Sequence, residues 1–466
     1  MKSGLLVAAS IALAGALLLS AQTRLGYGST SLYGAGDASG RAWWAPGENL
    51  TLVARWNYDD PDGTVGILNA NGAFPVKGHP FFDPIGSNGR ACVTCHQPAD
   101  AMSLSTASVR ERWTETHGED PLFATVDGAN CPDQPRAAES SHSLLLQRGL
   151  VRIPLAWPPK DVQPDFKLEV LRDPTGCNLS VKYGLKSPSP VVNVYRRPRP
   201  TANLRYILQT GMPHSPARIM ADAREHTLES QAISAAFGHL EMKAHPSAEQ
   251  IDTIVAFESQ VYSAQSMHRM GGRFNDAGLP SGIDPEGLMH NVKTPAGGEI
   301  FGLFPVWRNP PPAIREMEPI RQLRISSTRG LDLFLNRRFG SAKQTCAQCH
   351  DGRMTGASPA MAPVDIGTTN APTWTDTTGL PVFRITCNSG RVIDSTDPGR
   401  ALITGRCADV GAIAAQQLRG LSARAPYFVN GSAKTLRELV DYYDRRFAIG
   451  FTDGEKHDLI NFLSVL

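Results

Sequence analysis

Two short clusters bring together the residue types that redox chemistry needs. Cys92-Val93-Thr94-Cys95-His96 and Cys346-Ala347-Gln348-Cys349-His350 repeat one pattern, two thiols three residues apart followed at once by an imidazole. At that spacing, on the first turn of a helix, each thiol can form a thioether to a vinyl group of haem while the adjacent imidazole reaches the iron from the same side. A redox dithiol or half of a zinc site also uses Cys-x-x-Cys, but neither requires the His, and zinc would add Cys or His at short spacing. The pattern therefore predicts two covalently bound haem c groups, one on Cys92, Cys95 and His96 and one on Cys346, Cys349 and His350.

The other four cysteines, Cys131, Cys177, Cys387 and Cys407, fall in pairs 46 and 20 residues apart. In an oxidising compartment such pairs form disulfides. Cys131 with Cys177 and Cys387 with Cys407 is the expected pairing, although four thiols allow three pairings and free thiols are the alternative. Bridges closing loops of that size contribute about 3 to 4 kcal/mol each in the chain-entropy model. The N-terminus points to the same compartment. Lys2, the apolar run Leu5 to Leu19 and the small residues ending at Ala21 read as a signal peptide over residues 1–21, with export to the periplasm. An uncleaved anchor is the competing reading, but the run is shorter than the roughly 20 residues that span a bilayer, so the mature chain is expected to carry no membrane span.

The 466 residues are 41% hydrophobic and 19% charged, an ordinary globular composition that suggests two or three domains. Lys plus Arg number 46 against 44 Asp plus Glu, so there is no basic excess for a phosphate backbone and nucleic acid is not an expected partner. With 43 Gly and 35 Pro, long ordered loops are expected between helices.

The haem motifs are far enough apart to belong to separate domains, 35–275 and 320–466, joined by a Gly- and Pro-rich crossing loop over 276–319. Between residues 120 and 200 the runs Leu144 to Trp157, Phe166 to Leu171 and Leu179 to Tyr183 read as a small β-rich insertion. A helix is expected from Leu228. Another follows the Ser247-Ala-Glu-Gln capping box, with Ile251, Ile254, Val255, Phe257 and Val261 on its apolar face. The second domain should open with a helix near Ile320 and close with two, Thr435 to about Arg446 and Asp453 to Leu466. The expected fold class is mainly α, two cytochrome c-like haem domains with long loops and the β-rich insertion.

Beyond the motifs, the chain resembles the bacterial di-haem cytochrome c peroxidase superfamily, including its MauG-like members that oxidise a partner protein. The resemblance lies in Phe82-Asp83-Pro84, in Arg224 with Leu228-Glu229 and Gln231-Ala232, and in Ala425-Pro426-Tyr427-Phe428 with Asn430-Gly431-Ser432 and Thr435-Leu436. It implies that the N-terminal haem is peroxidatic and that the C-terminal haem handles electrons or stores an oxidising equivalent. The family's distal acid, ten residues after Gln231, falls on Glu241, with His239 two residues away as a second candidate. A carboxylate there can take and return the protons that O–O cleavage requires.

At the position eight residues after Thr435 the peroxidases have Met, MauG-like members have Tyr, and this chain has Tyr443, so the resemblance implies Tyr443 as sixth ligand of the second haem. A phenolate favours ferric iron where a thioether favours ferrous. Met354 or Met361 would be the alternative ligand. Two positions depart from the family: Ala221 replaces the Trp between the haems, and Val429 replaces a His near them. The family's calcium site, held largely by backbone carbonyls, leaves no side-chain signature. His117, 21 residues after His96, is a candidate second axial ligand in a resting form. Arg196-Arg197-Pro198-Arg199 and Arg445-Arg446 read as solvated faces or weak docking patches for an acidic redox protein.

The expected activity is reduction of hydrogen peroxide with electrons from a small redox protein, a cytochrome c or cupredoxin, or from an oxidisable protein substrate. The alternatives are a pure electron carrier or redox sensor, and a MauG-like protein-modifying enzyme or oxygenase.

Overall fold

A computed structural model describes residues 43–208, 217–274, 283–291, 307, 318–351, 355–357, 361–371 and 375–466. Residues 1–42, where the signal peptide is expected, most of the expected crossing loop and Met354 lie outside these residues. The described chain starts with four short strands, β1 (Thr51–Leu52), β2 (Arg55–Asp59), β3 (Gly63–Asn69) and β4 (Phe74–Pro75). No strand is expected here from the sequence reading above. The available signal is Asp60-Pro61-Asp62-Gly63 between β2 and β3, where Asp60 Oδ1 accepts from the amides of Asp62 and Gly63, both at 2.8 Å, and closes a tight turn.

Next come α1 (Thr106–Thr116), α2 (Ser143–Arg148), β5 (Val151–Ala156), β6 (Phe166–Arg172), β7 (Val191–Arg196) and α3 (Leu204–Leu208). The β-rich insertion is therefore present, with different bounds to its parts. Leu144 belongs to a helix, Leu179 to Tyr183 form turns, and the third strand is β7, which pairs antiparallel with β5. Cys131 is bridged to Cys177, with Cα atoms 5.2 Å apart, and Cys387 to Cys407 at 5.8 Å, both inside the usual span for a disulfide.

The chain continues through α4 (Leu228–His239), α5 (Ala248–Glu258), β8 (Val261–His268), β9 (Gly272–Arg273) and α6 (Pro285–Asn291), the last a short helix where only a loop is expected. The capping box of α5 forms in both directions: Ser247 Oγ accepts from the Gln250 amide at 3.2 Å, and Gln250 Oε1 accepts from the Ser247 amide at 2.9 Å. Val261, expected on this helix, instead begins β8. That strand is almost wholly buried and lies between β3 and β9 in the sheet β2-β3-β8-β9, so ladder pairing overrides the helical spacing.

The second half contains α7 (Glu318–Asn336), α8 (Cys346–Cys349), β10 (Asn370–Ala371), β11 (Val382–Cys387), β12 (Val392–Ser395), α9 (Ala401–Thr404), α10 (Leu436–Phe447) and α11 (Asp453–Ser464). Its strands do not stand alone. The sheet order is β10-β12-β11-β6, so a strand of the insertion completes a sheet begun over 200 residues later, with Ile385 opposite Leu168. Phe166, Val192, Val194, Phe383 and Ile385 form one apolar cluster across that join.

The main core crosses the same divide. Tyr262 and Ala264 of β8 pack with Leu331, Phe334 and Phe462 of α7 and α11. Helix is about 32% of the structure and strand about 18%, so the fold mixes the two classes more evenly than expected. Among the described residues no helix is long and apolar enough to cross a membrane.

Helices α7 and α11 approach closely at Gly330, where an added Cβ would stand 2.1 Å from the Asp458 carbonyl oxygen and 2.7 Å from Phe462 Cβ. Arg329 and Ser326 beside it bond the Asp458 carboxylate at 2.6 to 2.7 Å. Helix propensity alone would favour Ala at this position by about 1 kcal/mol. The contact reverses that sign: Gly330→Ala should destabilise by roughly 1 to 3 kcal/mol, as overpacking does, read as a lower denaturant midpoint, and an unchanged or higher midpoint would mean that the helices do not meet there.

Candidate metal centres

Each Cys-x-x-Cys-His run forms a single short turn, a 3-10 turn over Cys92–Thr94 and α8 over Cys346–Cys349. All four thiols are free, and burial raises their pKa, to about 12 for Cys95 and Cys346, which leaves them neutral. The histidines are held alike. His96 Nδ1 lies 3.3 Å from the Met102 carbonyl and His350 Nδ1 lies 2.8 Å from the Gly356 carbonyl, each six residues on.

Both acceptor turns have two consecutive residues at left-handed φ, Ala101 (56°) and Met102 (57°), and Thr355 (59°) and Gly356 (88°). Such turns are costly for residues other than glycine and are kept where a site requires them. Here each turn aims a carbonyl back at its imidazole. Burial pushes the His96 ring down to about 4, and His350 is lowered by the same cause, so both rings are neutral with Nδ1–H donated to the carbonyl. That leaves Nε2 as the nitrogen for a metal.

The first motif opens into a cavity enclosing about 1550 Å³ of atom-free space, part of it continuous with solvent. Cys92, Cys95 and His96 stand on its wall with Gln231, His239 and Leu240 of the α4 region. The second half contributes Met361 and the segment Ala414 to Gln417 to the same lining. Met361, the alternative ligand for the second motif, thus faces the cavity of the first. The residues fit a c-type haem here: paired free thiols, an oriented imidazole and a largely apolar wall.

On that cavity His239 is fixed from behind. Its Nδ1 lies 2.5 Å from Asp127 Oδ2, and the other Asp127 oxygen is paired with the buried Arg90. Burial alone would raise the Asp127 carboxyl, but Arg90 and then His239 outweigh it and hold it below the ordinary carboxylate range. A carboxylate that holds Nδ1–H leaves Nε2 free to take and give protons. Glu241, two residues on, is exposed, has φ of 52°, lies outside the cavity lining, and meets Ser87 only through its backbone carbonyl. His117 is an exposed residue capping the end of α1, also outside the lining.

Tyr443 packs with Cys346 and Ala347 against the main core, between Phe428 at 5.9 Å and Phe447 at 6.0 Å. Burial, then the nearby Cys346, raises its phenol well above the ordinary value. Neighbouring Tyr442 is a structural residue, its hydroxyl donating to the Ile366 carbonyl at 2.6 Å. The Ala425 to Ser432 run positions this corner, Phe428 standing 4.8 Å from Tyr442. Val429 serves through its backbone, accepting from the Arg197 amide at 2.9 Å. Ala221 lines the first cavity and accepts from the Ala414 amide at 2.8 Å.

The basic run Arg196 to Arg199 is no solvated face. Arg196 and Arg197 are buried, and Arg196 pairs with Asp222 at 2.5 Å and with Asp397 at 2.7 Å, tying the insertion to the second half. Arg90 and Glu258, which the fold brings to the cavity wall, and Asp127, which it brings behind His239, had no sequence signal. Among the described residues no group of three or more His, Cys, Asp or Glu is assembled to hold a metal ion by itself.

No family model matches the chain, and no curated protein does. Among solved structures, a MauG-like protein associated with microbial copper homeostasis is similar at 20% identity over 59% of this chain and 74% of that one, with a TM-score of 0.33. Kuenenia stuttgartiensis hydrazine synthase, pressurised with xenon, is similar at 14% identity over 78% of this chain and 93% of that one, with a TM-score of 0.29. Scores this low support no conclusion about fold or activity.

Glu258 lines the first cavity, is 2% exposed, and its Oε2 has no hydrogen-bond partner among the described residues. Burial pushes its carboxyl up from 4.5 to about 8. Between those values the folded chain keeps a proton that the unfolded chain has lost, so this contribution is full below about pH 4.5 and declines as pH rises to about 8. Glu258→Gln should flatten the fall of the denaturation midpoint across that window; an equally steep fall in the variant would assign the titration to another group.

Proposed function

We propose that this chain is an exported di-haem c oxidoreductase that reduces hydrogen peroxide, drawing electrons from a small redox protein of cytochrome c or cupredoxin type or from an oxidisable protein substrate. Haem carried on Cys92, Cys95 and His96 would supply the iron at which the peroxide is reduced. The observation that supports this most is the His239–Asp127–Arg90 chain on the wall of the same cavity. His239, held through Nδ1, can accept a proton from the incoming oxidant at Nε2 and return it to the departing oxygen. Gln231 stands on the same wall to orient the oxidant by hydrogen bonding. The proton-transfer role that the family comparison assigns to Glu241 thus passes to a neighbour that faces the cavity.

At the second centre, Cys346, Cys349 and His350 would carry the other haem and Tyr443 would supply an anionic oxygen donor. Such a donor favours the oxidised state, which suits a centre that holds an oxidising equivalent, including for use on a protein partner. Electron carriage alone is the second reading. What favours it is that His239 and His96 both stand on the lining of the first cavity.

The readings separate by spectroscopy. A high-spin ferric band that shifts on adding peroxide supports the enzyme; two low-spin haems indifferent to peroxide mean that His239 closes the site and the chain only carries electrons. In steady-state peroxide reduction, His239→Gln should lower kcat by roughly 100-fold, the scale of a lost acid–base group, while Glu241→Gln stays near the parent. The reverse result would return the role to Glu241. Tyr443→Phe should alter the absorption of one haem only, and an unaltered spectrum would remove Tyr443 from the iron.

A further inference from the structure

One acid on the wall of the first cavity is not needed to hold either motif histidine. Glu258 is the last residue of α5, and the helix register sets its place: Ile254, one turn earlier, lines the same cavity, while Phe257 packs on Phe81 at 4.6 Å. The Ser259 amide closes the final turn on the Val255 carbonyl at 2.9 Å, so regular helix carries the carboxyl to the wall. Glu258 is 2% exposed, and its Oε2 has no hydrogen-bond partner among the described residues.

Burial raises this carboxyl to about 8. Its position at the C-terminal end of a helix, where unpaired carbonyls gather, opposes a negative charge further. Most cations of the wall are engaged elsewhere: Arg90 with Asp127, Arg196 with Asp222 and Asp397, Arg224 with Asp222, and Arg197 and Arg199 with backbone carbonyls. Arg218, Cys92, Cys95, His96 and His239 complete the titratable lining, and none of them offsets the burial of Glu258. The charge of Glu258 is felt at the motif itself, where it is the largest influence after burial in raising the Cys92 thiol.

We infer that Glu258 is the proton-loading residue of the first centre, taking a proton from solvent as haem on Cys92, Cys95 and His96 gains an electron and releasing it as the haem loses one. This rests on the haem reading of that motif and deepens it by naming a proton partner. A carboxylate at Glu258 is stabilised by the extra positive charge of an oxidised centre and loses that stabilisation when an electron enters, so it recovers a proton. The cavity is partly continuous with solvent, which supplies and receives that proton. The linkage is reciprocal: ionising Glu258 lowers the haem potential by as much as reduction strengthens the hold of Glu258 on its proton. One electron and one proton enter together, and the net charge of the cavity stays constant. Reduction of hydrogen peroxide to two waters consumes two electrons and two protons, a stoichiometry that a residue storing a proton with an electron suits.

The test is an anaerobic potentiometric titration of the purified holoprotein, parent and Glu258→Gln, from about pH 5 to about pH 9, a range that spans the shifted carboxyl. Haem on the Cys92–His96 peptide is first confirmed by mass spectrometry. The parent should have one wave whose potential falls with rising pH by up to about 59 mV per unit, the tenfold value for a one-electron step. In Glu258→Gln that wave should flatten near the parent's acid limit, because the amide mimics the neutral acid. A flat parent, an equal slope in both proteins, or a uniform shift without change of slope overturns the proposal. Where Glu258→Gln takes up no haem, redox-difference infrared spectroscopy of the parent and Glu258→Asp decides. A protonated-carboxyl band that grows on reduction and moves in Glu258→Asp supports the proposal; no band, or an unmoved one, overturns it. A parent chain without haem on the first motif would defeat the haem reading instead, a result seen before any potential is measured.

Discussion

An imidazole next to a pair of thiols can serve a metal only when its other ring nitrogen is held. In this chain that constraint is met twice by the same device, a carbonyl six residues downstream turned back on Nδ1. The device requires two successive residues with left-handed backbone. At the second motif one of them is Gly356, which adopts that conformation freely, but at the first they are Ala101 and Met102. Those two residues are buried, with Met102 at 1% exposure, and the surrounding packing keeps a turn that isolated residues of this kind would avoid. The orientation of each imidazole depends on that turn.

The halves that bear the motifs are bound to one another at every level. A strand of the insertion completes the sheet of the second half, β8 packs into the core of the C-terminal helices, and Arg196 links Asp222 to Asp397. The cavity of the first motif shows the consequence: its wall includes Met361 and Ala414 to Gln417. Breaking a buried pair such as Arg196 with Asp397 would leave an uncompensated charge, which costs far more than the pair contributes. The ionic ties therefore act mainly to fix how the halves meet, and so the shape of the cavity.

At and behind the cavity wall the balance between charge and burial separates the roles of the acidic groups. Asp127 is buried but stays ionised because Arg90 and His239 outweigh desolvation; Glu258 is buried, its Oε2 without a hydrogen-bond partner among the described residues, and burial favours its protonated form. Asp127 therefore suits holding an imidazole and Glu258 does not. Glu241, one residue beyond the cavity-lining Leu240, is turned outward to solvent. A family pattern counted along the chain selects that position, but the end of α4 decides which of its last side chains faces inward.

What the residues alone determined is whatever depends on short spacing. The thiol–thiol–imidazole runs, the Ser247 capping box and the helices begun by Thr227 and Thr435 are local, because a few bonds or one turn of chain separate the groups concerned. Tertiary structure decided what depends on long-range contact: β8 in place of the end of a helix, the partnership of β6 with β11, the burial of Arg196 and Arg197, and the meeting of Asp127 with His239 across 112 residues. Those outcomes follow from ladder pairing, desolvation and ion pairing between segments far apart in the chain, and no periodicity or motif at either end carries the address of its partner.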